Sequence, residues 1–355
     1  MSDALLILPV FLLSVAVTGG VRALALRTRM MAVPNARSSH SQATPLGGGL
    51  AMVLAYAAAL SLLLWQTRMP VQELWALACS LPVAIIGLVD DRRDLGYRLR
   101  LAVQAGAVLL ALLLLGPVPP LALGPVAIGS IMLTGLLAPL SLLWLTNLYN
   151  FMDGIDGLAG SETAFVSLVA AGMLMNAGDT ALAVPCLFLF AGSMGFLVWN
   201  WPRARIFMGD VGSGFAGMSL GLIALLSHFH GSMSLWSWFV LLAVFVVDAT
   251  LTLLRRVMRG ERWNQAHRQH AYQHMARGAS GHKTVSLAVL GLNLLYLLPL
   301  AIAAGKYPVY GVYFGILGVI PLVLLALYCG AGSEAGTPRR SEDSPGMHVG
   351  SKENL

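Results

Sequence analysis

Long apolar runs recur along almost the whole chain, and short polar connections separate them. The runs cover residues 4–26, 46–65, 73–89, 99–116, 126–146, 158–177, 181–199, 213–228, 235–254, 285–304 and 308–329. Most are near the ~18–20 residues a helix needs to cross a bilayer. The pattern predicts an all-α polytopic integral membrane protein with about eleven transmembrane helices. A single membrane-embedded domain is expected over 1–329, and a charged Gly/Ser/Pro-rich tail without fixed structure over 330–355. No internal repeat is visible.

Composition agrees. Of 355 residues, 57% are hydrophobic and only 11% charged, against about 25% charged in a soluble domain. The net charge of +6 comes in no block long enough for a nucleic-acid arm. Cys79, Cys186 and Cys329 lie far apart, with neither disulfide nor zinc spacing. Asp3 and the lack of a basic n-region make 4–26 a retained span rather than a signal peptide.

Counting connections alternately sorts the basic residues. Of 22 lysines and arginines, only Arg68 and Lys306 fall on one side. Basic residues mark the cytoplasmic side, so the N-terminus is expected outside and the C-terminus inside. The same alternation places every polar cluster, 27–45, 90–98, 147–157, 200–212 and 255–284, on the cytoplasmic side.

The densest cluster is Asn147-Leu-Tyr-Asn150-Phe-Met-Asp153-Gly-Ile-Asp156-Gly. Three-residue spacing would put its two amides and two carboxylates on one slowly drifting helical face. Four oxygen-bearing side chains at a span end suit a hard cation and a phosphate. A plain helix cap would need only one or two. Asp90 and Asp91 end the third span, where adjacent carboxylates repel unless a cation or a proton joins them; Asp94 reads as solvated loop. Met208-Gly209-Asp210-Val-Gly212-Ser213 opens the eighth span. Free backbone N–H groups there favour a phosphate and the carboxylate a metal, although glycine-flanked turns look alike.

Four of the eight histidines, His267, His270, His274 and His282, fall among Arg262, Arg268, Arg277 and Lys283. This mixture suits phosphate or sugar recognition better than zinc, and a basic membrane-facing loop is the plainer alternative. Arg37 and the glycines from Gly47 to Gly49 give the first loop a cation and close backbone approach. Asp248 lies within the ninth span, and Arg255 or Arg256 is its expected partner, whether for function or as a structural pair.

Together these motifs resemble the polyprenyl-phosphate N-acetylhexosamine-1-phosphate transferases, from about Pro34 to Lys283. The resemblance rests on Asp90-Asp91, on Asn147-x-x-Asn150-x-x-Asp153-Gly-x-Asp156-Gly-Leu-Ala and on Met208-Gly-Asp210-x-Gly-Ser213. It implies transfer of a sugar-1-phosphate from a UDP-N-acetylhexosamine to polyprenyl (undecaprenyl) phosphate, with release of UMP. It also implies Mg²⁺, with Mn²⁺ as a substitute, held by Asn150 and Asp210. Asp90, Asp91, Asp153 and Asp156 become catalytic, the first two by activating the lipid phosphate or organising the metal, the others near pyrophosphate and uridine. Asn147, Arg37, Gly47, His267, Arg268 and His270 are expected to bind substrate. The loop Ala266-His267-Arg268-Gln269-His270-Ala271-Tyr272-Gln273-His274 departs from the denser histidine clusters of other relatives. It is more similar to the O-antigen-initiating branch. A proton-coupled transporter and a non-catalytic scaffold are the competing classes, and association into a homodimer is left open.

Overall fold

The computed structural model describes residues 3–33, 42–93, 95–262, 267–277 and 281–333. In order, α1 is Ile7–Thr28, α2 Leu50–Trp65, α3 Val71–Arg93, α4 Tyr97–Leu115, α5 Ser130–Met152, α6 Leu158–Asn176, α7 Thr180–Asn200 and α8 Asp210–Phe229. They are followed by α9 Leu235–Leu241, α10 Ala243–Met258, α11 Ala271–Met275, α12 Gly281–Lys306 and α13 Pro308–Tyr328. Among the described residues nine helices are long and apolar enough to cross a membrane. The α9–α10 pair, bent by 73°, has the length and composition of a broken span or a re-entrant loop and brings the number to ten only as a single span; α2 is a shorter apolar helix of 16 residues. Each predicted run therefore contains a helix. A helix satisfies every backbone polar group within one segment, which hydrocarbon demands.

Two details differ from the expected pattern. The fifth run begins not in a helix but in a hairpin, β3 Leu121–Leu123 pairing antiparallel with β4 Val126–Ile128; α5 starts only at Ser130. A second small hairpin joins β1 Met31–Ala32 to β2 Thr44–Pro45. Gly330 to Ser333, which the expected tail includes, are packed against the bundle. Ala331 is fully buried, its carbonyl accepts from Arg255 Nη1 (2.5 Å), and Gly332 donates to the carbonyl of Gln269 (2.6 Å). Arg37, Asp94 and residues 263–266 and 334–355 lie outside the described residues.

Helix α8 is the axis of the bundle. Its span is 94% buried, against 11% for peripheral α1. Small residues make this possible: a Cβ on Gly217 would lie 2.4 Å from the Leu145 carbonyl oxygen of α5. Close backbone approach of this kind drives helix association where lipid is as apolar as leucine. Side chains such as Leu113, Ile131 and Leu295 stay exposed and form part of the lipid-facing belt. Inside the bundle, Glu162 of α6 accepts from Asn293 Nδ2 of α12 at 2.5 Å, a pair that the sequence reading missed.

Helix direction alternates, so polar groups gather at two ends. One end holds the termini of α3, α5 and α7 and the starts of α4, α6 and α8. The other carries Glu73, Asp179 and His230, with His230 Nδ1 2.7 Å from Asp179 and Nε2 3.2 Å from Glu73.

Candidate active site

Residues from four helices meet at the first end. Arg100, four residues into α4, places Nη1 2.5 Å from Asp90 Oδ2 of α3 and 2.6 Å from Asp210 Oδ2 of α8. Asn150, near the end of α5, donates from Nδ2 to Asp210 Oδ1 (2.7 Å) and to Ser213 Oγ (3.1 Å). Asp90 Oδ1 accepts from the Leu95 N–H (2.5 Å), so both oxygens of this nearly buried carboxylate are engaged.

The three-residue spacing from Asn147 to Asp156 does not make one helical face. Helix α5 stops at Met152, and Asp153 is its C-cap. Asn147 turns toward α4, donating to Gln104 Oε1 (2.9 Å) and to the Leu143 carbonyl (2.8 Å), and so ties two spans together. Of the four, Asn150 is the one whose side chain hydrogen-bonds to Asp210 among the described residues. Burial, then the nearby carboxylates of Asp210, Asp91 and Asp156, hold the Asp153 carboxyl well above the usual carboxylate range. Asp156 accepts from the Ala204 N–H (3.1 Å) and lies 3.3 Å from His282 Nδ1, joining the loop to the 200–209 segment and to α12. Buried Asn200, which the sequence reading passed over, accepts from the Gly157 N–H (2.9 Å) and donates to the Ile206 carbonyl (3.0 Å).

The start of α8 is not open to a phosphate as the sequence suggested. Its first two amides, of Asp210 and Val211, already donate to Asp91 Oδ1 (2.8 Å) and Oδ2 (3.2 Å). The glycines from Gly47 to Gly49 serve packing. Gly48 and Gly49 donate to the carbonyls of Phe207 and Met208 (both 2.9 Å), and a Cβ on Gly49 would lie 2.3 Å from the Gly212 Cα. Gly47, with φ of +92°, makes the turn into α2.

Asp248 does not pair with Arg255 or Arg256. Arg255 donates to the Ala331 carbonyl and Arg256 to Glu261 (2.7 Å). Asp248 instead accepts from the Ala271 and Tyr272 amides (2.9 and 3.0 Å) and lies 3.3 Å from His270 Nδ1. His270 is buried between His267 and Tyr272, with ring centroids 4.9 and 5.6 Å away. Phe151 lies against both histidines, and Tyr272 Oη donates to the Phe151 carbonyl (2.8 Å). The histidine segment therefore abuts the Asn150–Asp153 turn. Half-buried His267 is the outer member of the stack, and burial, His270 and Arg256 push its imidazole down to about 3. The carbonyl of Arg268 accepts from Arg277 Nη2 (2.5 Å).

The donor set fits a partly hydrated hard cation. Mg²⁺ usually takes one or two protein carboxylates and completes its shell with water and substrate phosphate. Among the described residues no three His, Cys, Asp or Glu side chains converge tightly enough to enclose a metal. Asp210 beside Asn150 offers the smaller kind of site, and a half-turn of the Asn150 amide presents Oδ1. The crowded carboxylates of Asp91, Asp153, Asp156 and Asp210 favour added positive charge.

An apolar groove of about 460 Å³ lies between α5, α8 and the bent α9–α10 pair. Trp144, Leu145, Leu148, Gly221, Trp236 and Val246 are among its lining, which thus reaches the residue next to Asn147.

Residues 74–228 match the family model described as glycosyl transferase family 4. The chain is 31% identical over 309 residues to a decaprenyl-phosphate N-acetylglucosaminephosphotransferase of Mycolicibacterium smegmatis, covering 77% of this chain and 75% of the relative. It is 28% identical over 292 residues to the undecaprenyl-phosphate alpha-N-acetylglucosaminyl 1-phosphate transferase of Escherichia coli, covering 77% of each. A probable undecaprenyl-phosphate N-acetylglucosaminyl 1-phosphate transferase of Bacillus subtilis is 25% identical, covering 79% of each chain. With residues 74–228 matching the family model and relatives matched over three quarters of their length, the chain belongs to glycosyl transferase family 4, the polyprenyl-phosphate N-acetylhexosamine-1-phosphate transferases.

Proposed function

We propose that this protein transfers N-acetylhexosamine-1-phosphate from a UDP-sugar to polyprenyl phosphate at the cytoplasmic face of the bacterial inner membrane. The observation that carries the reading is the Asp90–Arg100–Asp210–Asn150 cluster at the ends of membrane spans. The relatives described above, each named as a polyprenyl-phosphate transferase, point the same way. Such a reaction is the first membrane step of O-antigen or another envelope polysaccharide.

An oxygen of the lipid phosphate attacks the sugar-bearing phosphorus of the donor. A new pyrophosphate bond forms, the old one breaks, and UMP leaves. Both reactants are anions, so the barrier is largely electrostatic. Mg²⁺ held by Asp210 and Asn150 would neutralise charge on the pyrophosphate oxygens. Arg100 supplies a fixed cation, and Asp90 orients it. The acceptor phosphate has a second pKa of about 6, so near neutral pH it is largely a dianion and needs no strong base. Asp153 and Asp156 shape the donor side, and His267 and Arg268 form the wall that reads the sugar, with buried His270 behind His267. The apolar groove beside Leu148 suits the start of an isoprenoid tail.

Nothing in the geometry favours a proton-coupled transporter, which places its polar site near mid-membrane on broken helices. Asp248 caps α11, and the other acidic groups of the cluster sit at helix ends.

The test is UMP release by purified protein given polyprenyl phosphate, Mg²⁺ and a panel of UDP-N-acetylhexosamines, with and without the 6-hydroxyl. At least one donor is expected to turn over, and Asp210→Ala to abolish UMP release in a folded protein. Full activity of that variant, or full activity in excess chelator, would refute the reading.

A further inference from the structure

The two adjacent carboxylates of α3 have different surroundings. Asp90 meets Arg100, whereas among the described residues the hydrogen bonds of Asp91 go to backbone. Helix α8 begins after Gly209, a residue with no side chain to cap it, and its first amides need acceptors. Asp91 supplies both from another helix, one oxygen to each of two successive N–H groups.

The surrounding glycines fit this arrangement. A Cβ on Gly209 would lie 2.5 Å from Asp91 Oδ2, and its φ of +77° suits glycine. A Cβ on Gly87, one turn before Asp91, would lie 2.3 Å from the Asp210 carbonyl oxygen. Only glycine lets α3 approach the first residue of α8 this closely.

We propose that Asp91 is a positioning residue that acts through Asp210. It clips the first turn of α8 to α3 and so fixes where the Asp210 carboxylate stands relative to Asn150 and Arg100. The proposal rests on the reading of Asp210 as part of the reacting centre. The division of labour is that Asp90 sets the cation and Asp91 sets the carboxylate.

A positioning carboxylate and a reacting one respond differently to substitution. Asparagine keeps one acceptor oxygen at the same place but carries no charge, whereas alanine keeps neither. Amide hydrogen exchange of the peptide covering 209–214, measured on metal-free protein in detergent, reads the clip without any turnover. Exchange there should rise about tenfold or more in Asp91→Ala, as expected for lost charge-assisted hydrogen bonds, with Asp91→Asn in between. In turnover, Asp91→Asn should recover much of the kcat lost in Asp91→Ala once Mg²⁺ is raised, with every limb of the pH–rate profile kept. Gly209→Ala should reproduce the exchange and Mg²⁺ effects with Asp91 intact, which keeps the test open if an Asp91 variant does not fold. Unchanged exchange at 209–214 in the Asp91 variants overturns the proposal. So does a lost limb of the pH profile with Asn as inactive as Ala, which would make Asp91 a reacting group. If exchange rises but no UDP-sugar is ever turned over, the clip stands and the reading of the site fails.

Discussion

Arg100 reaches Asp210 across 110 residues of sequence, with Nη1 2.6 Å from Oδ2. The same nitrogen lies 2.5 Å from Asp90, so one point of positive charge serves two carboxylates. A two-pronged guanidinium fork is not used, and a lysine ammonium carries the same point charge. Arg100→Gln should lower kcat/KM about ten- to a hundredfold, as expected for a lost charge-assisted contact. Arg100→Lys should keep most of the rate. Steady-state UMP release checks both, and near-wild-type turnover in Arg100→Gln would remove Arg100 from the site.

Donor choice should follow the histidine stack. His267 is its outer, half-buried member, while His270 is enclosed and held by Asp248. His267→Ala should change the ranking of UDP-N-acetylhexosamines, read as kcat/KM for each donor, more than it changes dependence on polyprenyl phosphate. Because the imidazole is pushed down to about 3, it stays neutral throughout the working range. The donor ranking should therefore not shift between about pH 6 and 8. Equal losses for all donors would show that His267 does not read the sugar.

Stability at alkaline pH should depend on the far end of the bundle. Asp179 first, and Glu73 also, raise the His230 imidazole to about 8, against burial. The stabilisation from protonated His230 is thus fully present below its unfolded value of about 6.5. It is lost as pH rises through about 8. Wild-type protein in detergent should lose more Tm between about pH 6 and 9 than His230→Gln does. Parallel curves would show that the bridge adds nothing.

Topology is testable with single cysteines. The native thiols give little background, since Cys79 and Cys186 are buried and Cys329 is half-buried. Cysteines placed beside Arg68 and Lys306 should react with a membrane-impermeant reagent from outside intact cells. A reporter fused after Leu355 should be active only in the cytoplasm. Labelling of those two loops from the cytoplasmic side alone would invert the orientation and move the reacting centre outside.

How far the chain could be read without coordinates depended on the range of the forces involved. Apolar length is local, so the apolar helices were legible from Ile7 to Tyr328, although nine or ten of the eleven expected runs have the length to span. The oxygen-bearing side chains of Asn150, Asp153 and Asp210 stood out because polar groups are costly beside so much hydrocarbon. Arg100 left a signal that went unused. A cation near a helix N-terminus opposes the helix dipole and calls for a nearby anion. Tertiary structure decided the partners. The sequence shows that Asp90, Asp91 and Asp248 are carboxylates at or within spans, but not that one holds an arginine while the others cap helices contributed by distant segments. Only the packing of α3 and α10 against those segments brings backbone amides within reach. That packing depends on glycines such as Gly87, whose missing side chain matters only once a second backbone lies against it. Hydrogen bonds act over about 3 Å. Which groups come that close is settled by how the helices cross.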